Sequence, residues 1–346
     1  MRVLVTGYLG YLGSVLVPML IDAGHDVTGL DSELFKACAL YQLPFNIPHI
    51  SRDIRDVTSE DLAGYDAIIH LAGLSNDPLG DLNPRVTYDV NYSAAVRLAS
   101  VAKYAETPRF IFSSSCAVYG SSNKRFVTER SPVRPLSTFA VTKMRAENDI
   151  ARLADRSFSP TFLRKPPLYG LSPYHRSDTA VNNMVAWAAY NGRVILKTDG
   201  ESWRPYLHVE DVARAFLFTL HAPLRSVHNQ ILNVVKTEDN FQSREIAARI
   251  EQVIEGVRTE QIANPPHDAR SYRVDGYNIT QILPGWRPMW TLDQGIRQIY
   301  EACRDNDLKL EDFEGARFKR VAYLKHLLGA ERITDDLRWV DASARV

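Results

Sequence analysis

Val3-Leu4-Val5-Thr6-Gly7-Tyr8-Leu9-Gly10-Tyr11-Leu12-Gly13-Ser14 places three glycines at a spacing of three, between a run that reads as a strand and one that reads as a helix. Glycine is needed there because the backbone must turn tightly, approach a phosphate without a Cβ, and let the helix pack close to the sheet. The helix that follows offers its free N–H groups to an anion. Taken alone the glycine pattern is weak, since ordinary tight turns share it, so its surroundings decide the reading.

Outward from that motif, residues 2–6, 26–31, 67–71, 108–114 and 159–164 read as strands, each a short apolar, β-rich run. Between them, 11–24, 84–105 and 137–154 carry apolar residues at three- and four-residue spacing, as sheet-covering helices do. This rhythm predicts an α/β fold, a doubly wound parallel sheet (Rossmann), with a smaller C-terminal α/β substrate lobe. The second lobe begins with a Pro- and Tyr-rich loop at 166–175, a helix near 180–191 and a strand at 193–197. A helix at 209–221 and a strand at 231–235 return to the main sheet. The expected division is a Rossmann domain over 1–165 joined by 205–237, a substrate-binding lobe over 166–204 and 238–307, and a helical extension over 308–346. Leu324, Leu327, Leu328, Leu337 and Trp339 argue that this tail is docked rather than disordered.

Composition narrows the function. Lys plus Arg and Asp plus Glu both number 41, so no global field draws nucleic acid or an anionic membrane, and an anionic ligand must be held by local charges. Cys38, Cys116 and Cys303 lie far apart without a CxxC pair, against both a disulfide framework and a structural metal site. Glycines and charges interrupt every apolar run well short of the roughly 20 residues a membrane helix needs. A soluble cytoplasmic protein is expected, with no metal.

Four strand ends agree on a dinucleotide. Besides the glycine turn, His25-Asp26-Val27-Thr28-Gly29-Leu30-Asp31 ends in a carboxylate suited to accept hydrogen bonds from both adenosine ribose hydroxyls, and it would repel a 2′-phosphate. NAD is therefore expected rather than NADP. Arg52-Asp53-Ile54-Arg55-Asp56 has the form that contacts adenine in this fold, and His70-Leu71-Ala72-Gly73 ends a strand beside the nicotinamide ribose.

These segments, with Asn91, Ser113-Ser114-Ser115-Cys116-Ala117-Val118-Tyr119-Gly120, Phe139-Ala140-Val141-Thr142-Lys143, Arg164 through Gly170, and Trp203-Arg204-Pro205-Tyr206-Leu207-His208-Val209-Glu210-Asp211-Val212, form an ordered set. The set resembles the extended short-chain dehydrogenase/reductase family, in its nucleotide-sugar epimerase and dehydratase group, over roughly residues 1–300. The resemblance implies a cofactor shell of Gly7, Gly10, Tyr11, Leu12, Gly13, Asp31, Ser32, Asp53, Ile54, Leu71, Ala72, Gly73, Asn91, Ser113, Lys143 and Pro166. It implies that Ser115 hydrogen-bonds the sugar oxygen being oxidised, and that Lys143 lowers the pKa of a phenol four residues upstream. It also implies a homodimer, paired through the helices at 84–105 and 137–154.

That phenol is absent: position 139 is Phe, which cannot take a proton from a sugar hydroxyl. Three readings are open at this point. Phe139 is a substitution that disables turnover and traps a complex, or a natural variant working through another base, or the mark of a non-catalytic sensor of NAD or metabolite. For rerouting, Cys116 and Thr138 are the nearest candidates, although Thr138 is intrinsically a poor base and nothing in the sequence supplies a cation to activate Cys116. Family 4,6-dehydratases carry an Asp-Glu pair where this chain has Cys116 and Ala117, so ordinary dehydration is disfavoured.

For the substrate, the resemblance implies a UDP- or dTDP-linked sugar contacted by Ser75, Asn183, Met184, Leu196, Arg204, Arg270 and Tyr272. Arg204 and Arg270 would hold the diphosphate, Leu196 would lie along the base. Where many relatives have an Asn three residues after Arg164, this chain has Pro167. Lys165 beside it either adds charge near the nicotinamide and sugar or faces solvent. An epimerase is the leading expectation, with a ketoreductase or dehydratase as the enzymatic alternatives.

Overall fold

Seven parallel strands make the central sheet: β1 (Arg2–Thr6), β2 (Asp26–Asp31), β3 (His49–Ser51), β4 (Ala67–His70), β5 (Arg109–Ser115), β6 (Ser159–Lys165) and β7 (Ile231–Asn233), in the spatial order β7-β6-β5-β4-β1-β2-β3. This is a computed structural model, and it describes residues 1–122, 125–305 and 309–341. Residue 308 and residues 342–346 of the tail lie outside the described residues.

β1, β4, β5 and β6 are covered on both faces, so their side chains are buried almost without alternation. One face carries α1 (Gly13–Asp22), whose Leu16 and Leu20 pack with Val212 and Phe216 of the helix Val209–His221. The other carries α2 (Ala94–Tyr104) and α3 (Thr138–Ala151), whose Leu98 and Ile150 pack with Phe110 and Phe112. Two differences from the sequence reading stand out. β3 was not predicted, because His49-Ile50-Ser51 is a three-residue edge strand with one apolar side chain and no periodicity. The 84–105 stretch is not one regular helix: a π-type turn, Asp89–Ser93, separates Pro84–Tyr88 from α2. That wider turn swings Asn91 inward, where its side chain accepts from the Leu74 N–H at 2.8 Å and donates to the Leu74 carbonyl at 2.9 Å.

The chain reverses direction of winding between β1 and β4, which leaves a crevice at the carboxyl ends of these strands. Beyond it stands a second apolar cluster built on α4 (Ala180–Asn191), with Val185, Ile246, Ile250, Ile296 and Ile299 at its centre. The tail contributes the helix Arg320–Gly329. Leu324, Leu327 and Leu337 cluster with Leu34, Leu74 and Leu79, and the Trp339 indole N–H donates to the Ser32 carbonyl at 2.7 Å. No helix among the described residues is long and apolar enough to cross a membrane.

Candidate active site

A cavity of about 480 Å³ follows the crevice from the glycine turn to the second apolar cluster. Gly7, Gly10, Tyr11, Leu12 and Gly13 form one end. Gly7 has φ +75°, and a Cβ on it would stand 2.7 Å from the Ala72 nitrogen. A Cβ on Gly13 would fall on the Gly7 carbonyl and 2.7 Å from the Tyr8 Cα. The turn is thus pressed against both the end of β4 and the start of α1, leaving backbone N–H groups as the inner surface for a pyrophosphate. The Tyr11 hydroxyl donates to the Gly170 carbonyl at 2.6 Å, tying this turn to the far wall.

Asp31 ends β2 on the same wall, with Ser32, Asp53 and Ile54 beside it. Burial lifts the Asp31 carboxyl to about 6, and the two N–H bonds it accepts, from Glu33 at 2.8 Å and Leu9 at 3.2 Å, only partly oppose that. Asp53 is paired with Arg55 at 2.6 Å. These residues fit the adenosine half of a dinucleotide, a cradle that side chains would otherwise fill.

The middle of the cavity is lined by Leu71, Ala72, Gly73, Ser113, Ser115, Phe139, Lys165 and Pro166. Ser115 Oγ accepts from the Ala117 N–H at 3.1 Å, so its own hydroxyl proton is left to point at a ligand. The Phe139 ring is 5% exposed and lies where α3 begins, capped by Ser137, whose hydroxyl donates to Asp77 at 2.5 Å. Lys143, one turn along α3, is buried behind Gly73 over the face of Phe112 at 4.7 Å. Burial, then the nearby Lys165 ammonium, hold it down to about 7. Asn91 is likewise behind the wall, holding Leu74 in place.

Neither base suggested from sequence stands in this lining. The Cys116 thiol is fully buried, donates to the Arg164 carbonyl at 3.2 Å, and is pushed well above the usual thiol range by burial. Thr138 is the first residue of α3 and is half-buried outside the lining. Lys165 lines the cavity rather than facing solvent.

The far end gathers Ser75, Arg204, Arg270 and Tyr272. Arg204 lies over the Tyr272 ring at 5.0 Å, and both arginines converge on Asp268, Arg204 at 3.0 Å and Arg270 at 2.8 Å. Burial alone would raise Asp268, but Arg270 and Arg204 hold it below the usual carboxylate range. Arg270 also pairs with Asp77. Three sequence assignments fall elsewhere. Asn183 donates to the Ser177 carbonyl at 3.0 Å, while Met184 and Leu196 are buried in the second apolar cluster. Thr179 and Ala180 at the start of α4, and Thr198 after the strand Arg193–Leu196, line the cavity instead.

Sequence reasoning also missed Arg176, Arg320 and Leu337. Arg176 lines the cavity, paired with Asp178 and donating to Ser75 at 2.6 Å. Arg320 and Leu337 reach it from the tail. Arg320 lies over the Phe35 ring at 4.7 Å, and its Nη1 is buried with no hydrogen-bond partner among the described residues.

Comparison with known proteins agrees with this fold. Residues 3–234 match the model of the NAD dependent epimerase/dehydratase family. A UDP-glucose 4-epimerase of Mycolicibacterium smegmatis is 29% identical over 88% of this chain and 99% of its own length. One of Lactobacillus helveticus is 27% identical over 83% of this chain and 92% of its own. Among solved structures, MoeE5 in complex with UDP-glucuronic acid and NAD is 27% identical, with a TM-score of 0.76, covering 88% of this chain and 99% of its own.

Proposed function

This chain belongs to the NAD dependent epimerase/dehydratase family, and from that premise we propose that it is a nucleotide-sugar epimerase that oxidises a ring hydroxyl transiently and returns the hydride in the same cycle. One observation carries the reading: a single cavity joins the glycine turn and Asp31, the Ser115 hydroxyl, and the Arg204–Arg270 pair. A dinucleotide, a sugar and a diphosphate would need those three in that order. When bound, NAD supplies the hydride acceptor and donor. Ser115 then holds the reacting sugar oxygen, Lys143 holds the nicotinamide ribose from behind Gly73, and the two arginines offer the diphosphate their remaining N–H donors while Asp268 keeps both in place.

Dehydration fits less well. Ala117 lines the cavity without a functional group, and Cys116 is turned away into the Arg164 carbonyl. A non-catalytic sensor is the second reading, favoured by Phe139 alone. Mass spectrometry of ligands released from the denatured protein tests the assignment: NAD or NADH with a UDP- or dTDP-sugar supports it, and a different metabolite alone refutes it.

The Asp31 environment sets a pH dependence. Ribose hydroxyls donate to the carboxylate and not to the acid, so NAD affinity should fall as pH is lowered through about 6 and level off above it. NAD should be strongly preferred to NADP at neutral pH. Asp31→Ala is expected to narrow that preference by about 1–3 kcal/mol. Equal affinity of the unmodified protein for both dinucleotides would contradict the assignment.

Assembly belongs to the same reading. Pairing of α2 and α3 with their copies across a two-fold axis would bury both helices in a four-helix interface, with the exposed Tyr104 beside it. Sedimentation at micromolar concentration should give a homodimer, and monomer alone would count against this interface.

A further inference from the structure

Resting on that reading, we infer that Lys165 is the general base and acid that exchanges a proton with the sugar hydroxyl, in place of the phenol that Phe139 lacks. In the parallel ladder of β5 and β6, Lys165 is the register partner of Ser115, and both open onto the cavity beside Phe139. Strand alternation separates it from its neighbour: Arg164 faces α3, where it pairs with Glu147 at 2.6 Å, so Lys165 faces the opposite side. The Lys165 ammonium makes no hydrogen bond or ion pair among the described residues, while its surroundings are mostly cationic. Lys143 stands near it from α3, Arg176 from the loop before α4, and the buried Cys116 thiol at the end of β5.

The other proton-transfer candidates on this stretch of the wall are committed. Asp77 accepts from Ser137 and Arg270, Asp268 holds both arginines, and the Tyr272 phenol is buried beneath Arg204 and raised far above its usual range. Burial, then Arg176, bring the Lys165 amine down to about 8. A bound nicotinamide cation would lower it further, so a useful fraction is neutral at working pH.

The step balances. The Lys165 lone pair takes the hydroxyl proton while the sugar C–H passes as hydride to the nicotinamide; the sugar carbon is oxidised to a ketone and the cofactor is reduced. After the keto-sugar turns, the hydride returns to the other face of the carbon and the Lys165 ammonium gives its proton back to the oxygen. Ser115 donates a hydrogen bond to that oxygen in both directions.

The test uses Lys165→Met, Lys165→Arg, Phe139→Tyr and the double variant Phe139→Tyr/Lys165→Met in the full chain, with hydride transfer followed in single turnovers and UDP-sugar binding by calorimetry. Both single lysine variants should lose about 10²–10⁴-fold in hydride transfer, the range of one general base. Lys165→Arg should retain nucleotide-sugar affinity. The rate of the unmodified protein should climb with pH through about 8, and Lys165→Met should lose that climb. Competitive acylation of the ligand-free protein, read by mass spectrometry, should titrate Lys165 well below an ordinary lysine. Phe139→Tyr should restore much of the rate lost in Lys165→Met, and change the unmodified protein far less. Full activity in Lys165→Arg, or no rescue by Phe139→Tyr, overturns the proposal and makes Lys165 a fixed positive charge for an anionic sugar. If the unmodified protein binds nucleotide-sugars yet transfers no hydride, it is the epimerase reading that fails.

Discussion

Ser115→Ala is expected to slow hydride transfer by about 10²–10³-fold, the cost of removing one donor aimed at developing charge, with nucleotide-sugar affinity nearly unchanged. The Oγ already accepts from the Ala117 N–H at 3.1 Å, so only the hydroxyl proton remains to be offered, and β5 holds it rigidly at a strand end. Its task arises as the sugar oxygen loses its proton, which is why the loss should fall on the rate and not on ground-state binding. Rapid-mixing absorbance of reduced nicotinamide, set beside calorimetric binding, separates the two. A variant that binds poorly but reacts at the normal rate once saturated would place Ser115 in substrate binding only.

Gly13→Val should abolish useful NAD binding, weakening it by at least about 10²-fold or 2.7 kcal/mol. The new Cβ would meet the Gly7 carbonyl and the Tyr8 backbone, neither of which can rotate away, so α1 must move off β1. The same backbone forms the pyrophosphate cradle, and a shift there removes several N–H contacts together. Overpacking also costs the fold about 1–3 kcal/mol, so far-ultraviolet circular dichroism and a thermal melt are needed beside the binding isotherm. A folded variant with undiminished NAD affinity would show that the cofactor is not held at this turn.

The strand ends were the most legible part of the chain. In a parallel sheet each buried strand is a local apolar run, and each ligand-facing residue sits just past its end, so Gly7, Asp31, Gly73 and Ser115 reach one cavity from positions readable one strand at a time. β3 escaped because an edge strand of three residues carries no period. The second lobe was less legible, since helix phase decides which side chains face the ligand. Asn183 looked suited to a phosphate but turns to the Ser177 carbonyl, while Thr179 and Ala180 reach the cavity. Arg320 and Leu337 carried no local signal for a ligand, Leu337 marking only a docked tail, because they meet the cavity only after the tail has folded back across the end of β2. Burial decided Cys116 and Lys165: complete enclosure keeps the thiol out of the cavity lining, and the cavity side of β6 places the amine in it.

The most direct test of transient oxidation with hydride return is the fate of deuterium in a ring-deuterated UDP- or dTDP-sugar, incubated with the unmodified protein in ordinary water and followed by NMR and mass spectrometry. The epimer should appear with every ring deuterium retained and no net change in NAD or NADH. Washout of one deuterium with migration of another to the exocyclic carbon, a requirement for added NADH, or tight binding with no product at all would each contradict it.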